Sequence, residues 1–144
     1  MSANKGKPNV GMGGPLALRA RAQVAMLTVM FLLGMAVNLI GMPSETSGLA
    51  KTFTSIFLGL HALIGLGLLV GAFLTIRLAS AAGENLMRLA WVGGLLVLIT
   101  FIAGVLTLAF NNDWWSYLMA AGFIASYLVY IGLLMQARGQ ATVS

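Results

Sequence analysis

The sequence contains no cysteine, and only one of its 144 residues is a histidine. The absence of cysteine excludes disulfides, thiolate metal sites, iron–sulfur clusters, c-type haem attachment and cysteine catalysis. Charged residues are also scarce, at 8 % of the chain against about 25 % in soluble domains. With 60 % apolar residues and a mean hydropathy of +0.97, the chain has too few polar groups to cover a water-exposed surface. This composition is typical of an integral membrane protein.

Four long apolar runs make up most of the chain. Each has about 20 residues or more, so a helix rising ~1.5 Å per residue would cross a hydrocarbon core ~30 Å thick. Backbone amides find no water in that core, and each run must therefore satisfy its own hydrogen bonds as an α-helix. The predicted membrane spans are residues 22–42, 53–76, 89–110 and 114–135.

The connections between these runs are short, which favours antiparallel neighbours. We therefore predict an all-α fold, an antiparallel up-down-up-down bundle of four transmembrane helices. Residues 22–136 form the transmembrane domain, between a basic tail at 1–21 and a short polar tail at 137–144. The first run is longer than a signal-peptide core and lacks an A-x-A site after it, so we expect it to be retained.

The basic residues indicate the orientation. All Lys and Arg residues except Lys51 lie in the two tails or beside the middle loop. Positive charge stays on the cytoplasmic side, so both termini are predicted to be cytoplasmic and the 111–113 turn to lie outside. We expect a plasma (inner) membrane location. The net charge of +5 does not indicate nucleic-acid binding, because no basic stripe with interleaved aromatic residues is present.

Small residues are the expected contacts between helices in lipid, because they let backbones approach closely. Rows of small residues along the helices would form contacts between helices of one chain or, alternatively, between two copies of the chain. The methionines are scattered through the spans rather than clustered, so they are read as packing residues and not as copper ligands. The glycines expected at helix contacts are Gly59, Gly67, Gly71, Gly104 and Gly122.

Polar residues inside a membrane are the first place to look for function. His61 has three interpretations: a hydrogen-bonded core residue, a ligand of haem b or another metal, or a binding residue for a quinone, proton or small substrate. The predicted polar cluster in the outer half of the bundle consists of Asn38, His61, Asn112, Asp113 and Ser116. Asp113 is also expected to cap the fourth helix, and Glu84 to pair with Arg88.

No catalytic residue set is apparent. The four predicted spans contain no Asp, Glu, Lys or Arg. An ion-coupled transporter usually needs such a group, and hydrolysis needs an acid–base pair or a triad. We therefore do not expect an enzyme, and we predict no metal cluster.

Three segments carry a family resemblance: FLLGMAVNL at 31–39, HALIGLG at 61–67, and SYLMA at 116–120 followed by Tyr127 and Tyr130. With these, the chain resembles small bacterial four-helix inner-membrane proteins. The resemblance implies a four-helix membrane fold over most of residues 22–136 and no established activity. Haem-bearing four-helix families differ in having two or more intramembrane histidines.

The favoured function is a non-catalytic accessory or structural subunit of a larger membrane complex. Its expected partners are the lipid bilayer and other membrane subunits, or a second copy of the chain. Two alternatives stay open: a redox protein linked to quinone or haem through His61, and a small transporter or channel component.

Overall fold

The computed structural model describes residues 13–110 and 112–141, and these residues form four α-helices. Each helix is long and apolar enough to span a membrane. The expectations for residues 1–12 and 142–144 lie outside the described residues. The helices are α1 (Gly13–Ile40), α2 (Gly48–Ala79), α3 (Glu84–Phe110) and α4 (Asp113–Ala141).

Every helix extends beyond the apolar run that predicted it, and α1 does so most. It begins at Gly13, within the segment 1–21 that we expected to be a tail. Leu16 and Ala20 lie in this extension and are completely buried. The apolar side of the extension packs in the bundle core, while Arg19 and Arg21 on its other side are exposed. Tertiary packing therefore stabilises helix where hydropathy alone is low.

Glycine and proline explain where α1 ends. Gly41 has a φ of +104°, a conformation that side chains with a Cβ rarely adopt, and Pro43 follows in the turn. The turn before α3 likewise contains Gly83 with a φ of +126°. At the start of α4 the side-chain oxygen of Asn112, rather than that of Asp113, accepts the backbone N–H of Trp114 at 2.9 Å. The predicted capping residue is therefore off by one position.

The helices form a four-membered ring, since α1 packs on α2 and α4, and α3 packs on the same two helices. Most buried residues recur at spacings of three or four, the pattern by which helices interlock side chains in bundles. On α1 this buried stripe contains Leu16, Ala20, Gln23, Leu27 and Met30. On α4 it contains Gly122, Ser126, Tyr130, Leu133 and Ala137.

We divide the bundle into two halves for the description that follows. The basic half holds the described arginines and comprises residues 13–27, 68–80, 84–97 and 126–141. The distal half comprises residues 28–67 and 98–125, with Asn111 not described. The two ends differ in charge: Glu84 and the described arginines lie at the basic end, whereas the distal end has Glu45, Lys51 and Asp113.

The outside of the bundle is apolar along all four helices. Large apolar side chains such as Leu39, Val70, Leu98 and Leu128 are exposed on it. Soluble monomers rarely expose so many large apolar side chains, and such surfaces typically contact lipid or another protein.

Candidate functional site

The predicted outer polar cluster does not form a single site. Asn38, Asn112, Asp113 and Ser116 are all exposed, whereas His61 is half-buried between α1 and α2. No hydrogen bond joins any two of these five residues. Asn112 serves to cap α4, as described above. Of the predicted cluster, only His61 therefore has the partly buried surroundings expected of a binding residue.

His61 is fixed by a hydrogen bond to the backbone of the neighbouring helix. Its Nδ1 lies 3.0 Å from the carbonyl oxygen of Met30. A carbonyl can only accept, so Nδ1 carries the proton and Nε2 keeps a free lone pair. The ring packs on Gly34, where a Cβ would lie 3.3 Å from the His61 Cε1. Glycine at position 34 thus permits the close approach of α1 to the imidazole.

The Nε2 atom of His61 has no hydrogen-bond partner among the described residues. An Nδ1–H bonded to a backbone carbonyl is the arrangement that orients many metal-binding histidines and leaves Nε2 as the ligand. No group of three or more His, Cys, Asp or Glu residues that could hold a metal ion occurs within 13–110 and 112–141. A metal ion bound by His61 would therefore need other kinds of ligand or a second protein chain.

The predicted packing glycines differ in their surroundings. A Cβ at Gly67 would lie 2.9 Å from the Met26 Cε, and one at Gly104 would lie 3.2 Å from the Met119 Sδ. A Cβ at Gly122 would overlap the Thr100 hydroxyl. Gly59 is different, because it is exposed and no atom lies within 4 Å of its Cβ position. Gly59 therefore takes no part in the contacts between the described helices.

Gly71 faces the least expected residue of the interior, Gln23. A Cβ at Gly71 would lie 2.5 Å from the Gln23 Nε2, which donates a hydrogen bond to the Leu68 carbonyl at 3.2 Å. Gln23 is 2 % exposed. Gln23 lies at the start of the first predicted span, 22–42, and its burial was not predicted. The signal that would have identified it is its spacing, because Gln23 continues the three-and-four repeat of Ala20 and Leu27.

Tyr130 is another buried residue of the basic half with a polar group. Its ring lies against Gly93 of α3, where a Cβ would be 3.2 Å from the Tyr130 Cζ, and its exposure is 0 %. The Tyr130 hydroxyl and the Gln23 Oε1 are both buried without a hydrogen-bond partner among the described residues. Two unpaired polar atoms in so apolar a core are unusual, since each costs about 1–3 kcal/mol.

A small cavity lies next to this region, with a volume of about 10 Å³. That volume is at the lower limit for a single water molecule and far below that of a ligand pocket. Its polar groups are the Thr100 and Ser126 hydroxyls, which donate to the Leu96 and Gly122 carbonyls and keep lone pairs free. Its other lining residues are Leu27, Met30, Gly65, Leu68, Val97 and Phe101.

Comparison with known proteins supplies no relative from which a function could be transferred. No protein-family model, curated protein or solved structure gives a significant match to the chain. Function must therefore be inferred from the arrangement of the residues themselves.

Proposed function

We propose that the chain is a multi-pass membrane protein whose four helices cross the bilayer in antiparallel order. The order of the side-chain contacts supports this topology. Along α1, Gln23, Met30 and Gly34 contact α2 at Gly71, Gly65 and His61 respectively, so rising numbers meet falling numbers. Short turns between α2 and α3 and between α3 and α4 favour the same arrangement.

The charge difference between the two ends supports a cytoplasmic location for both termini. Among the described residues, the basic end has five arginines and Glu84, and the distal end has Lys51, Glu45 and Asp113. The positive-inside rule assigns the arginine-rich end to the cytoplasm. Trp114 and Tyr117, both exposed, then lie at the outer interface, where aromatic side chains are enriched.

Within the membrane, the proposed role is that of a non-catalytic accessory or structural subunit. The observation that carries this proposal is the contrast between a closed interior and an apolar exterior. The cavity between the helices described above has a volume of about 10 Å³, too little for a substrate. Its exterior presents large apolar side chains on every helix. The capacity to interact therefore lies on the surface, toward lipid and toward other membrane helices.

Purification from native membranes tests this role. The protein, tagged after Ser144, is extracted in mild detergent and analysed by native mass spectrometry. We expect a complex containing other membrane subunits or a second copy in fixed stoichiometry. A lone chain that remains monomeric after cross-linking in intact membranes would contradict the proposal.

A second candidate function is favoured by one observation, the hydrogen bond from His61 to Met30. Because this bond leaves Nε2 as an acceptor, His61 is suited to ligate a haem iron or to accept a hydrogen bond from a quinol hydroxyl. Haem chemistry would be electron transfer at the iron. One histidine supplies one axial ligand, so a second ligand would come from a methionine, a second copy or a partner subunit.

Optical spectroscopy separates the two candidates. If His61 binds haem, the purified protein has a Soret band that is lost in His61→Ala and kept in Asn38→Ala. A colourless protein that gains no Soret band on titration with haemin would contradict the haem interpretation and leave the accessory role in place.

A further inference from the structure

One face of α2 points away from the neighbouring helices and ends at an arginine. On the other sides of α2, Gly71 lies against Gln23 of α1, and Ile76 lies against Gly94 of α3. The residues of the outward face recur every three or four positions, so they form one row along the helix, and all of them are exposed. We call this row the α2 stripe; it consists of Leu66, Val70, Phe73 and Arg77.

The length of the α2 stripe matches one leaflet of a bilayer. From Leu66 to Arg77 the helix rises about 16 Å, at ~1.5 Å per residue. Half of a hydrocarbon core ~30 Å thick is ~15 Å. Arg77 lies in the last turn of α2, at the basic end. In a bilayer its guanidinium would therefore lie at the level of the phospholipid phosphates, while the apolar residues of the stripe contact the acyl chains.

Arg77 is held in place without being neutralised. Its guanidinium carbon lies 5.7 Å from the centre of the Phe73 ring, within the range of a cation–π interaction. Among the described residues, no carboxylate pairs with Arg77 and no group accepts a hydrogen bond from its guanidinium. Its planar set of N–H donors, which suits phosphate oxygens, is therefore free to bind a ligand from outside the bundle.

The charge around Arg77 favours an anionic headgroup over a zwitterionic one. Within the described part of the chain, the basic end has five arginines and a single acidic residue, Glu84. A surplus of positive charge attracts a headgroup with a net negative charge. It also repels the trimethylammonium group that phosphatidylcholine has next to its phosphate. The occupant that complements this surface in both charge and length is therefore one anionic phospholipid.

We propose that Arg77 binds the phosphate of an anionic phospholipid, with an acyl chain lying along Phe73, Val70 and Leu66. The Phe73 ring orients the guanidinium toward the headgroup, and the other arginines of the basic end supply the preference for negative charge. This inference rests on the proposed membrane location of the chain. It does not depend on the orientation of the termini, on His61 or on a partner subunit.

Lipid competition tests the proposal. The protein is released from vesicles of phosphatidylglycerol and phosphatidylcholine in equal amounts, and native mass spectrometry counts the molecules of each lipid that stay bound. We expect the wild type to retain more phosphatidylglycerol. Arg77→Gln should lower the ratio of bound phosphatidylglycerol to phosphatidylcholine about fivefold, the effect of one arginine near an anionic membrane surface.

Arg88→Gln is the matched control. It removes the same charge at the same end of the bundle, but Glu84 already pairs with Arg88. The lipid ratio should therefore fall by less than about twofold in this variant. Phe73→Leu keeps the stripe apolar and removes only the aromatic ring, so the ratio should fall about twofold. Both arginine variants should unfold at the wild-type temperature, because Arg77 and Arg88 are exposed.

Three results would overturn the lipid site: equal retention of the two lipids by the wild type, equal losses in Arg77→Gln and Arg88→Gln, or displacement of the bound lipid by millimolar glycerol phosphate. The last would show that the site binds a free phosphate group and not a lipid. Failure of the chain to insert into vesicles of phosphatidylcholine alone would contradict the membrane location itself. Insertion without a preference for phosphatidylglycerol would overturn only the lipid site.

Discussion

The basic and distal halves of the bundle contrast in where they place their polar residues. In the basic half, Gln23, Thr75 and Tyr130 are at most 2 % exposed and lie among small and apolar side chains. In the distal half, Asn38 and Ser116 are exposed and His61 is only half-buried. The described distal half buries only Thr54 and Thr100, whose hydroxyls donate to carbonyls of their own helices, whereas its larger polar side chains are at least partly exposed.

This contrast has a physical basis in residue size. In the basic half the long side chains of Gln23 and Tyr130 face Gly71 and Gly93, so two helices can pack closely around them. The distal half also has close glycine contacts, at Gly104 and Gly122, although Gly59 there faces open space. Close packing therefore occurs in both halves, and the basic half is distinguished by the two long polar side chains that its glycines accommodate.

The largest effect on stability is expected from replacing the buried aromatic side chain of the basic half, that of Tyr130. Tyr130→Ala should destabilise the bundle by about 3–5 kcal/mol, because it leaves a cavity among completely buried neighbours. The measurement is thermal unfolding in detergent, followed by circular dichroism. Tyr117→Ala in the distal half is the matched control, since Tyr117 is exposed, and it should change stability very little. Equal losses for the two variants would contradict the contrast.

A pair of glycine substitutions sharpens the comparison with opposite signs. Gly71→Ala should cost about 1–3 kcal/mol, since the new methyl group would displace the Gln23 amide from its bond to Leu68. Gly59→Ala should be neutral or stabilise by up to about 1 kcal/mol, because alanine favours helix and has free space there. Denaturation in mixed micelles at constant detergent composition compares the two. A destabilising Gly59→Ala would show that Gly59 contacts a neighbour.

Removing the imidazole of the distal half should have a smaller effect. His61→Ala loses one hydrogen bond to the Met30 carbonyl, and interhelical bonds of this kind are worth about 0.6 kcal/mol in membrane proteins. The same unfolding assay measures the loss. If the free energy of unfolding fell by more than about 2 kcal/mol, His61 would stabilise the helix packing by more than one hydrogen bond can explain.

The smallest effect is expected at the surface of the basic end. Arg88 donates to Glu84 one turn earlier on α3, and both side chains are more than 70 % exposed. Glu84→Gln should therefore cost only about 0.3–0.5 kcal/mol. Added salt should reduce the difference between wild type and variant, which unfolding at two salt concentrations would reveal.

The number and type of the helices follow from the sequence, and so does the Glu84–Arg88 pair, which is confirmed. Hydropathy identifies the four runs because the transfer of an apolar side chain into hydrocarbon is favourable whatever its neighbours are. Hydropathy does not predict the first turns of α1, because these residues precede the apolar run. Leu16 and Ala20 are buried there by packing against other helices. Helix ends depend on tertiary packing that a window of sequence does not contain.

The candidate site follows from the sequence only in part. Because polar residues are rare inside a membrane, those of the distal half were predicted as a candidate site. Among them, His61 is held by a hydrogen bond to a neighbouring helix. Gln23 escaped notice because it sits at the edge of an apolar run, where a polar residue is ordinarily at the interface. Its burial depends on which face of α1 meets Leu68 and Gly71, and this is set by the packing of two helices.

The central claim, that all four helices lie in hydrocarbon, is tested most directly by cysteine labelling, since the chain has no native cysteine. Single cysteines replace one exposed residue of each helix near the boundary between the basic and distal halves: Val29, Val70, Leu98 and Leu128. Membranes are treated with a polar maleimide, with Gln140→Cys as the accessible control. We expect the four central positions to resist labelling even after both membrane faces are opened, while position 140 reacts. Labelling of any central position at the rate of position 140 would contradict a membrane-spanning bundle.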